Sequence, residues 1–253
     1  MLRYKVALVS YLNAKPFLYG LKNYSFKTPI EFSVNTPSVI ANQLLNGEVD
    51  LALVPVVVLN EMNEYFLLPD FCIGCNGVVQ SVCLFSEKPI QECNSVLLDY
   101  QSRTSVMLTK ILMEKHWKLN PEFIATSEGY EQYIKGVTAG LVIGDRALQL
   151  KNKFQFVYDL GDEWKKFSNL PFAFAVWASA KKIPDEMVKE LNAAFQLGIN
   201  SLHKVIAEEQ KNYDGIDVSD YLKNGIDYFF NNEKSNAMNL FLRYVKESES
   251  VTG

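Results

Sequence analysis

Histidine is scarce in this chain of 253 residues: only His116 and His203 occur. Both fall in stretches that read as helix, one near a helix carboxyl end where a cation is favoured, so a histidine-based triad has little support. G-x-S-x-G, Walker and G-x-G-x-x-G loops are absent too, which removes the usual signatures of hydrolases and nucleotide-binding proteins. Charge of one sign is equally scarce. The chain sets 25 Lys+Arg against 29 Asp+Glu, a net charge of -4 without long like-charge runs, so a nucleic-acid partner is not expected.

Long hydrophobic runs are missing as well. The longest, Leu51 to Leu59, is interrupted by Pro55 and reaches about half of the ~20 residues that span a bilayer; it reads as a buried strand and the turn after it, with no membrane partner. Between Met1 and Ser10 only Val6 to Val9 is apolar, short of the roughly 7 to 15 residues of a signal-peptide core. Export is not expected, and a cytoplasmic location is. The four cysteines, Cys72, Cys75, Cys83 and Cys93, include one C-x-x-C but no second ligand pair at matching spacing, and neither histidine is near. They read as reduced, mostly buried thiols, with no metal and no cofactor.

What is present is alternation. The chain is 48% hydrophobic, enough for one large core or two modest ones, since domains run to roughly 100 to 200 residues. Tyr4 to Val9 reads as a strand and Pro16 to Leu21 as a short helix. Ile30, Phe32 and Val34 alternate as a half-buried strand should. Thr36 and Pro37 then start a helix that Gly47 closes, and Leu51 to Val54 is again a strand. Val78 to Phe85 reads as a strand leaving this unit. A second α/β unit follows, with strands at Val96 to Leu98, Phe123 to Ala125, Leu141 to Ile143 and Phe154 to Tyr158, and a helix from about Ser102 to His116. Phe172 to Ala178 is a return strand, and the remainder reads as helical, with one helix running from Pro184 through Ile206 and a last one near Ala237 to Val245. The expected fold is therefore α/β with two lobes, residues 1–86 plus 171–253 and residues 87–170. Each is a mainly parallel sheet flanked by helices, with a ligand cleft between the lobes at the strand carboxyl ends.

Candidate binding residues sit at the ends of strands. Asp99 to Ser105 lies between a strand and a helix, where backbone N–H groups, the hydroxyls of Ser102, Thr104 and Ser105, and the Arg103 guanidinium can converge on a carboxylate or phosphate; ordinary capping by Ser102 with Arg103 in solvent is the alternative. Thr36, Pro37 and Ser38 form a second polar helix start. Ser10, Tyr11 and Asn13 follow the first strand, and Asn13 can both donate and accept hydrogen bonds or be a turn asparagine. Asn76, Gly77 and Ser81 occupy a loop and strand start, and Asp145 follows another strand, where it can cap a helix or face a ligand. These residues point to a small anionic ligand and go no further.

Several segments, in order, resemble chorismate dehydratase of the futalosine route to menaquinone: Val9 to Phe17 (VSYLNAKPF), Leu53 to Pro55, Ser102 to Ser105, Ile143 to Leu148 (IGDRAL), Tyr158 to Trp164 (YDLGDEW), Leu170 to Trp177 (LPFAFAVW) and Asp220 to Leu222. The resemblance covers nearly the whole chain. It implies the type II periplasmic-binding-protein fold without export, and loss of water from chorismate to give 3-[(1-carboxyvinyl)oxy]benzoate without metal or cofactor. It further implies that the Ser102–Ser105 and Thr36–Ser38 helix starts hold the two carboxylates of chorismate and that Pro55 and Phe172 join the binding set; with little support for a histidine base and no obvious carboxylate base in the chain, Asn13 and Ser81 are expected to orient the substrate. A homodimer is allowed for. The competing readings are 1,4-dihydroxy-6-naphthoate synthase of the same pathway, a transporter solute-binding protein, and the ligand-sensing domain of a regulator.

Overall fold

A computed structural model describes residues 3–250. In chain order the elements are β1 (Tyr4–Val9), α1 (Lys15–Asn23), β2 (Ile30–Asn35), α2 (Pro37–Leu45), β3 (Leu51–Pro55), β4 (Phe66–Cys75), β5 (Val82–Ser86), β6 (Ser95–Leu98) and α3 (Arg103–Ile111). These are followed by β7 (Glu122–Ala125), β8 (Thr138–Ile143), α4 (Gly144–Leu150), β9 (Phe156–Asp159), α5 (Leu160–Ser168) and β10 (Phe172–Ser179). The chain ends with α6 (Asp185–Asn200), α7 (Leu202–Glu209), α8 (Val218–Asp220), β11 (Asp227–Phe230) and α9 (Asn232–Ser250). They divide into two units, Met1–Gly74 with Ala173–Asn231, and Cys75–Phe172 with Asn232–Gly253. Residues 1, 2 and 251–253, at the outer ends of the expected lobes, lie outside the described residues.

The first unit is built on a six-stranded sheet in the order β11-β4-β10-β3-β1-β2. β1 runs parallel to both β2 and β3, while β10 and β11 run antiparallel to β3 and β4. β3 is buried at all five positions, as a strand covered on both faces must be. Helix α1, opened by Pro16, is fixed by Phe17. Its ring lies 5.0 Å from Phe195, 5.5 Å from Tyr228, 5.7 Å from Trp177 and 6.1 Å from Phe71, all edge-on. Gly20 of α1 and Gly198 of α6 meet where the two helix backbones touch. A Cβ on Gly198 would stand 1.8 Å from the Pro16 carbonyl oxygen, and one on Gly20 would stand 1.9 Å from that of Ala194.

The second unit carries a five-stranded sheet in the order β7-β6-β8-β5-β9. β6 is parallel to β7 and β8, whereas β5 is antiparallel to β8 and β9. Trp164 on α5 is fully buried, with ring centroids 5.2 Å from Phe172 and 6.4 Å from Phe241 on α9, and its indole N–H donates to the Pro171 carbonyl.

The structure draws the unit boundaries elsewhere than the sequence pattern did. β5 has hydrogen-bonded neighbours on both sides in the second sheet, so the chain crosses at Gly74/Cys75 and not after residue 86. The last helix joins the second unit because Phe241 completes the ring cluster around Trp164. The stretch after β10 is not wholly helical, since β11 pairs with β4, and the helix expected through Ile206 breaks at Ser201, which has φ -100°. Val34 is exposed, so β2 is less covered than its alternation implied. Among the described residues no helix is long and apolar enough to cross a membrane.

Candidate active site

In the first unit the candidate residues share one sheet edge. The register pairs Val9 with Asn35, and β3 runs parallel beside β1, so the segments leaving β1, β2 and β3 emerge together. The exposed Ser10 donates its amide to the Asn35 carbonyl at 3.1 Å. Tyr11 precedes a single 3₁₀ turn, Leu12–Ala14, whose flanking Leu12 and Ala14 are buried. Those two anchors hold Asn13 half-buried, and its Oδ1 is shielded with no hydrogen-bond partner among the described residues. A shielded acceptor left unpaired costs about 1–3 kcal/mol. Thr36 caps α2 by position but not by side chain; its Oγ1 lies 3.3 Å from Ser38 Oγ, both exposed, while Pro37 between them is buried. Pro55 closes β3, is buried, and stands opposite Ala175.

In the second unit the remaining candidates share another edge. Val82 pairs with Ile143, and the Gly144 amide donates to the Ser81 carbonyl at 2.7 Å, so Ser81 and Asp145 are brought together. Ser81 is buried; Asn76 is exposed and Gly77, at φ 104°, occupies the left-handed region that suits glycine. β6 lies beside β8 and releases the Asp99–Ser105 segment at the same edge. There Ser102 is the N-cap of α3, its Oγ accepting from the Ser105 amide at 3.0 Å. That is the ordinary capping role, and it leaves the Ser102 O–H free to act as a donor. Arg103 is exposed, whereas Thr104 and Ser105 are buried. Asp145 lies in the first turn of α4 but is not its N-cap, a position held by Ile143.

Phe172 stands apart from this set. It is buried at the start of β10, edge-on to Trp164 and Phe241 at 5.2 Å each, so its side chain belongs to the second unit's core.

Two carboxylates that the sequence did not single out, the buried Asp99 and the half-buried Asp159, organise the second edge. Asp159 accepts from the amides of Val79 (3.0 Å), Gln80 (2.6 Å), Gly161 (3.0 Å) and Asp162 (3.2 Å), tying the loop before Ser81 to the start of α5. Burial raises its pKa above 3.8 despite those four N–H groups, which pull it down. Asp99 collects donors from several elements, and burial beside it pushes the Tyr130 phenol up. The available signal for Asp159 was its place as an N-cap acid between a strand and a helix. Asp99 had no local signal. His116 is bound to Glu163 at 3.1 Å, which gives it a structural place. The four cysteines are buried thiols outside any disulfide, and among the described residues no group of three His, Cys, Asp or Glu could hold a metal ion.

A family model described as menaquinone biosynthesis matches residues 4–247. The chain belongs to the menaquinone biosynthesis family. Within reach of this family it is 30% identical, over 226 residues, to a protein named chorismate dehydratase from Thermus thermophilus, covering 78% of this chain and 83% of the relative. Solved structures share its fold. A protein from Archaeoglobus fulgidus superposes with a TM-score of 0.74 at 14% identity, over 98% of both chains. A Candida albicans protein described as having the generic periplasmic binding protein fold gives 0.57 at 14% identity, over 95% of this chain and 90% of the other. The chain thus has a periplasmic-binding-protein-like α/β fold.

Proposed function

We propose that the protein is a chorismate dehydratase, removing one water from chorismate to give 3-[(1-carboxyvinyl)oxy]benzoate. The family assignment and the 30% identity to the Thermus thermophilus enzyme support the reaction class. The structural observation that carries the site is Asn13, a shielded acceptor without a partner in the turn that follows the first strand. Unpaired buried polar atoms are uncommon in native proteins; Gln43, Trp177, Asn192 and Tyr228 also carry one among the described residues, and Asn13 is set apart by its place in the turn that leaves a strand.

In the reaction the C–H bond on the carbon bearing the enol ether breaks and its electron pair forms the new ring double bond. The neighbouring C–O bond breaks, and the hydroxyl departs with a proton as water. Aromaticity of the product supplies much of the driving force, so positioning carries most of the catalysis. Ser102 to Ser105 take one substrate carboxylate, with Arg103 giving the charge-assisted bond, and Thr36 to Ser38 take the other. Asn13 and Ser81 orient the ring and hydrogen-bond the departing hydroxyl. The proton passes to one of the substrate's own carboxylates or to a bound water. Ser10, Tyr11, Pro55, Asn76, Gly77 and Asp145 complete the binding set, and a cytoplasmic location accompanies this reading of a biosynthetic enzyme.

The test is to incubate the purified protein with chorismate and to follow a product lighter by one water by mass spectrometry. Chorismate returned intact but bound would favour a solute-binding protein. If Asn13→Ala and Ser81→Ala both keep wild-type turnover while Arg103→Ala binds chorismate normally, the site assignment is wrong.

A further inference from the structure

Asp99 has no part in the chemistry above, yet its side chain is completely buried and gathers donors from four places in the second unit. Oδ1 accepts from the Gln101 amide at 2.8 Å, an Asx turn that shapes the segment leaving β6. Oδ2 accepts from the Ile143 amide at 3.1 Å at the end of β8, and from the Tyr130 hydroxyl at 2.8 Å. Arg146 Nη2, on α4, reaches both oxygens at 2.9 and 2.7 Å. A carboxylate offers about four lone-pair sites, so this one is fully occupied. Arg146 is itself held: Nη1 donates to Glu131 at 2.6 Å, and the guanidinium lies 5.1 Å from the Tyr100 ring and 5.8 Å from that of Tyr130.

The neighbours of this pair are the residues assigned to substrate. Gln101 leads directly into Ser102, whose hydroxyl oxygen takes the Ser105 amide. Ile143 precedes Gly144, whose amide holds the Ser81 carbonyl. One buried charge therefore fixes the backbone on which both Ser81 and Ser102–Ser105 stand. A buried ion pair is a poor source of stability, because apolar residues of the same volume do as well, and its value lies in specifying one arrangement.

We propose that Asp99 and Arg146 are a positioning pair for the reaction. They hold the Tyr100–Ser105 segment and the Ile143–Gly144 turn in the single geometry that receives the substrate carboxylate and places Ser81. The inference rests on the assignment of Ser102 to Ser105 to that carboxylate.

Asp99→Asn, Arg146→Gln and the milder Tyr130→Phe are compared with wild type in two assays, steady-state kinetics with chorismate and residue-level amide hydrogen exchange without it. In Asp99→Asn and Arg146→Gln, exchange at Gln101 to Ser105 and at Gly144 should quicken at least tenfold more than at control amides in β1, with KM raised at least tenfold in the folded protein. A purely structural role would instead spread faster exchange over β6 and β8 and leave KM unchanged. Folded variants with wild-type KM and wild-type exchange at Gln101 to Ser105 overturn the proposal. If Asp99→Asn and Arg146→Gln do not fold, Tyr130→Phe must show the same local pattern at smaller amplitude, and an unchanged Tyr130→Phe refutes it. Should wild type fail to dehydrate chorismate, the dehydratase reading falls, while the exchange arm still decides whether Asp99 positions the segment.

Discussion

Replacing Gly198 by alanine should damage the protein through the backbone contact between α1 and α6. The new Cβ would lie 1.8 Å from the Pro16 carbonyl oxygen and 3.1 Å from the Gly20 nitrogen, both backbone atoms that cannot rotate away. An ordinary carbon–oxygen contact is about 3.4 Å, so α1 and α6 must separate by roughly 1.5 Å. Overpacking of a tight contact costs about 1–3 kcal/mol and occasionally more, while alanine recovers close to 1 kcal/mol of helix propensity over glycine. With backbone on both sides the steric cost wins, and a net loss of about 2 kcal/mol is expected. For a chain of this size that lowers the unfolding midpoint by about 4–8 °C.

The effect on turnover should exceed the effect on stability. The turn that carries Asn13 runs directly into α1, and Pro16, the residue struck, follows it by three positions. A displacement of about 1 Å at a positioning group can cost around 10²-fold in rate. Differential scanning calorimetry and the chorismate mass assay on Gly198→Ala check both expectations. An unchanged or raised midpoint would refute the reasoning, because helix propensity would then outweigh a backbone clash that the geometry makes unavoidable. Gly198→Ala with full activity and a lowered midpoint would break the link between α1 and Asn13.

Asn13→Ala should lower turnover at least 100-fold while leaving stability equal or higher by up to about 1 kcal/mol, since it deletes an unpaired buried acceptor; a urea titration that shows clear destabilisation contradicts it. Arg103→Ala, at an exposed position, should raise KM by about 10- to 100-fold with kcat little changed, the worth of one charge-assisted hydrogen bond. Asp159 has a raised pKa from burial, so its protonated form favours the fold: that contribution is complete below the ordinary carboxylate value and is lost as pH rises through the raised one. Protonation there also weakens its hold on the Val79 and Gln80 amides, so kcat/KM should fall on the acid side with a midpoint above 3.8, and a limb centred at or below 3.8 would rule Asp159 out.

What the sequence disclosed follows from how locally each feature is determined. β1, β3 and β10 are strands buried along most of their length and show as apolar runs, and α2 announces itself by Thr36, Pro37 and Gly47. β4 escaped because Pro69 and Asp70, the latter at φ 82°, interrupt its pattern. β11 is four residues long with a bulge against β4, and α5 is a polar nine-residue helix wedged between two strands. Phe172 was assigned to the site from its motif, yet which face a strand residue takes depends on register and packing that the motif does not contain. In the sequence Asp99 is only the first residue of a polar segment. Its significance lies in donors at positions 101, 130, 143 and 146, which no local spacing could connect.

The two edges are held by different physics, and this decides how each fails. In the first unit the Asn13 turn is set by shape: Phe17 among four rings, and two glycines that let α1 touch α6. Changes of volume there should be punished, whereas pH and salt should matter little, because the titratable ring in that contact, Tyr228, is a phenol pushed up by burial. In the second unit Ser81 and Ser102–Ser105 are set by charge, through the buried Asp99 and the half-buried Asp159, whose oxygens organise backbone amides. Isosteric substitutions there keep every volume and still remove the determinant, so Asp99→Asn and Asp159→Asn should harm the site more than larger apolar changes at Leu97 or Val142 in the adjacent core. A carboxylate that accepts backbone N–H bonds fixes direction as well as distance, which packing alone does loosely. The charged edge is therefore fixed in direction by its aspartates, and the packed edge in position by its rings and glycines, each within its own unit.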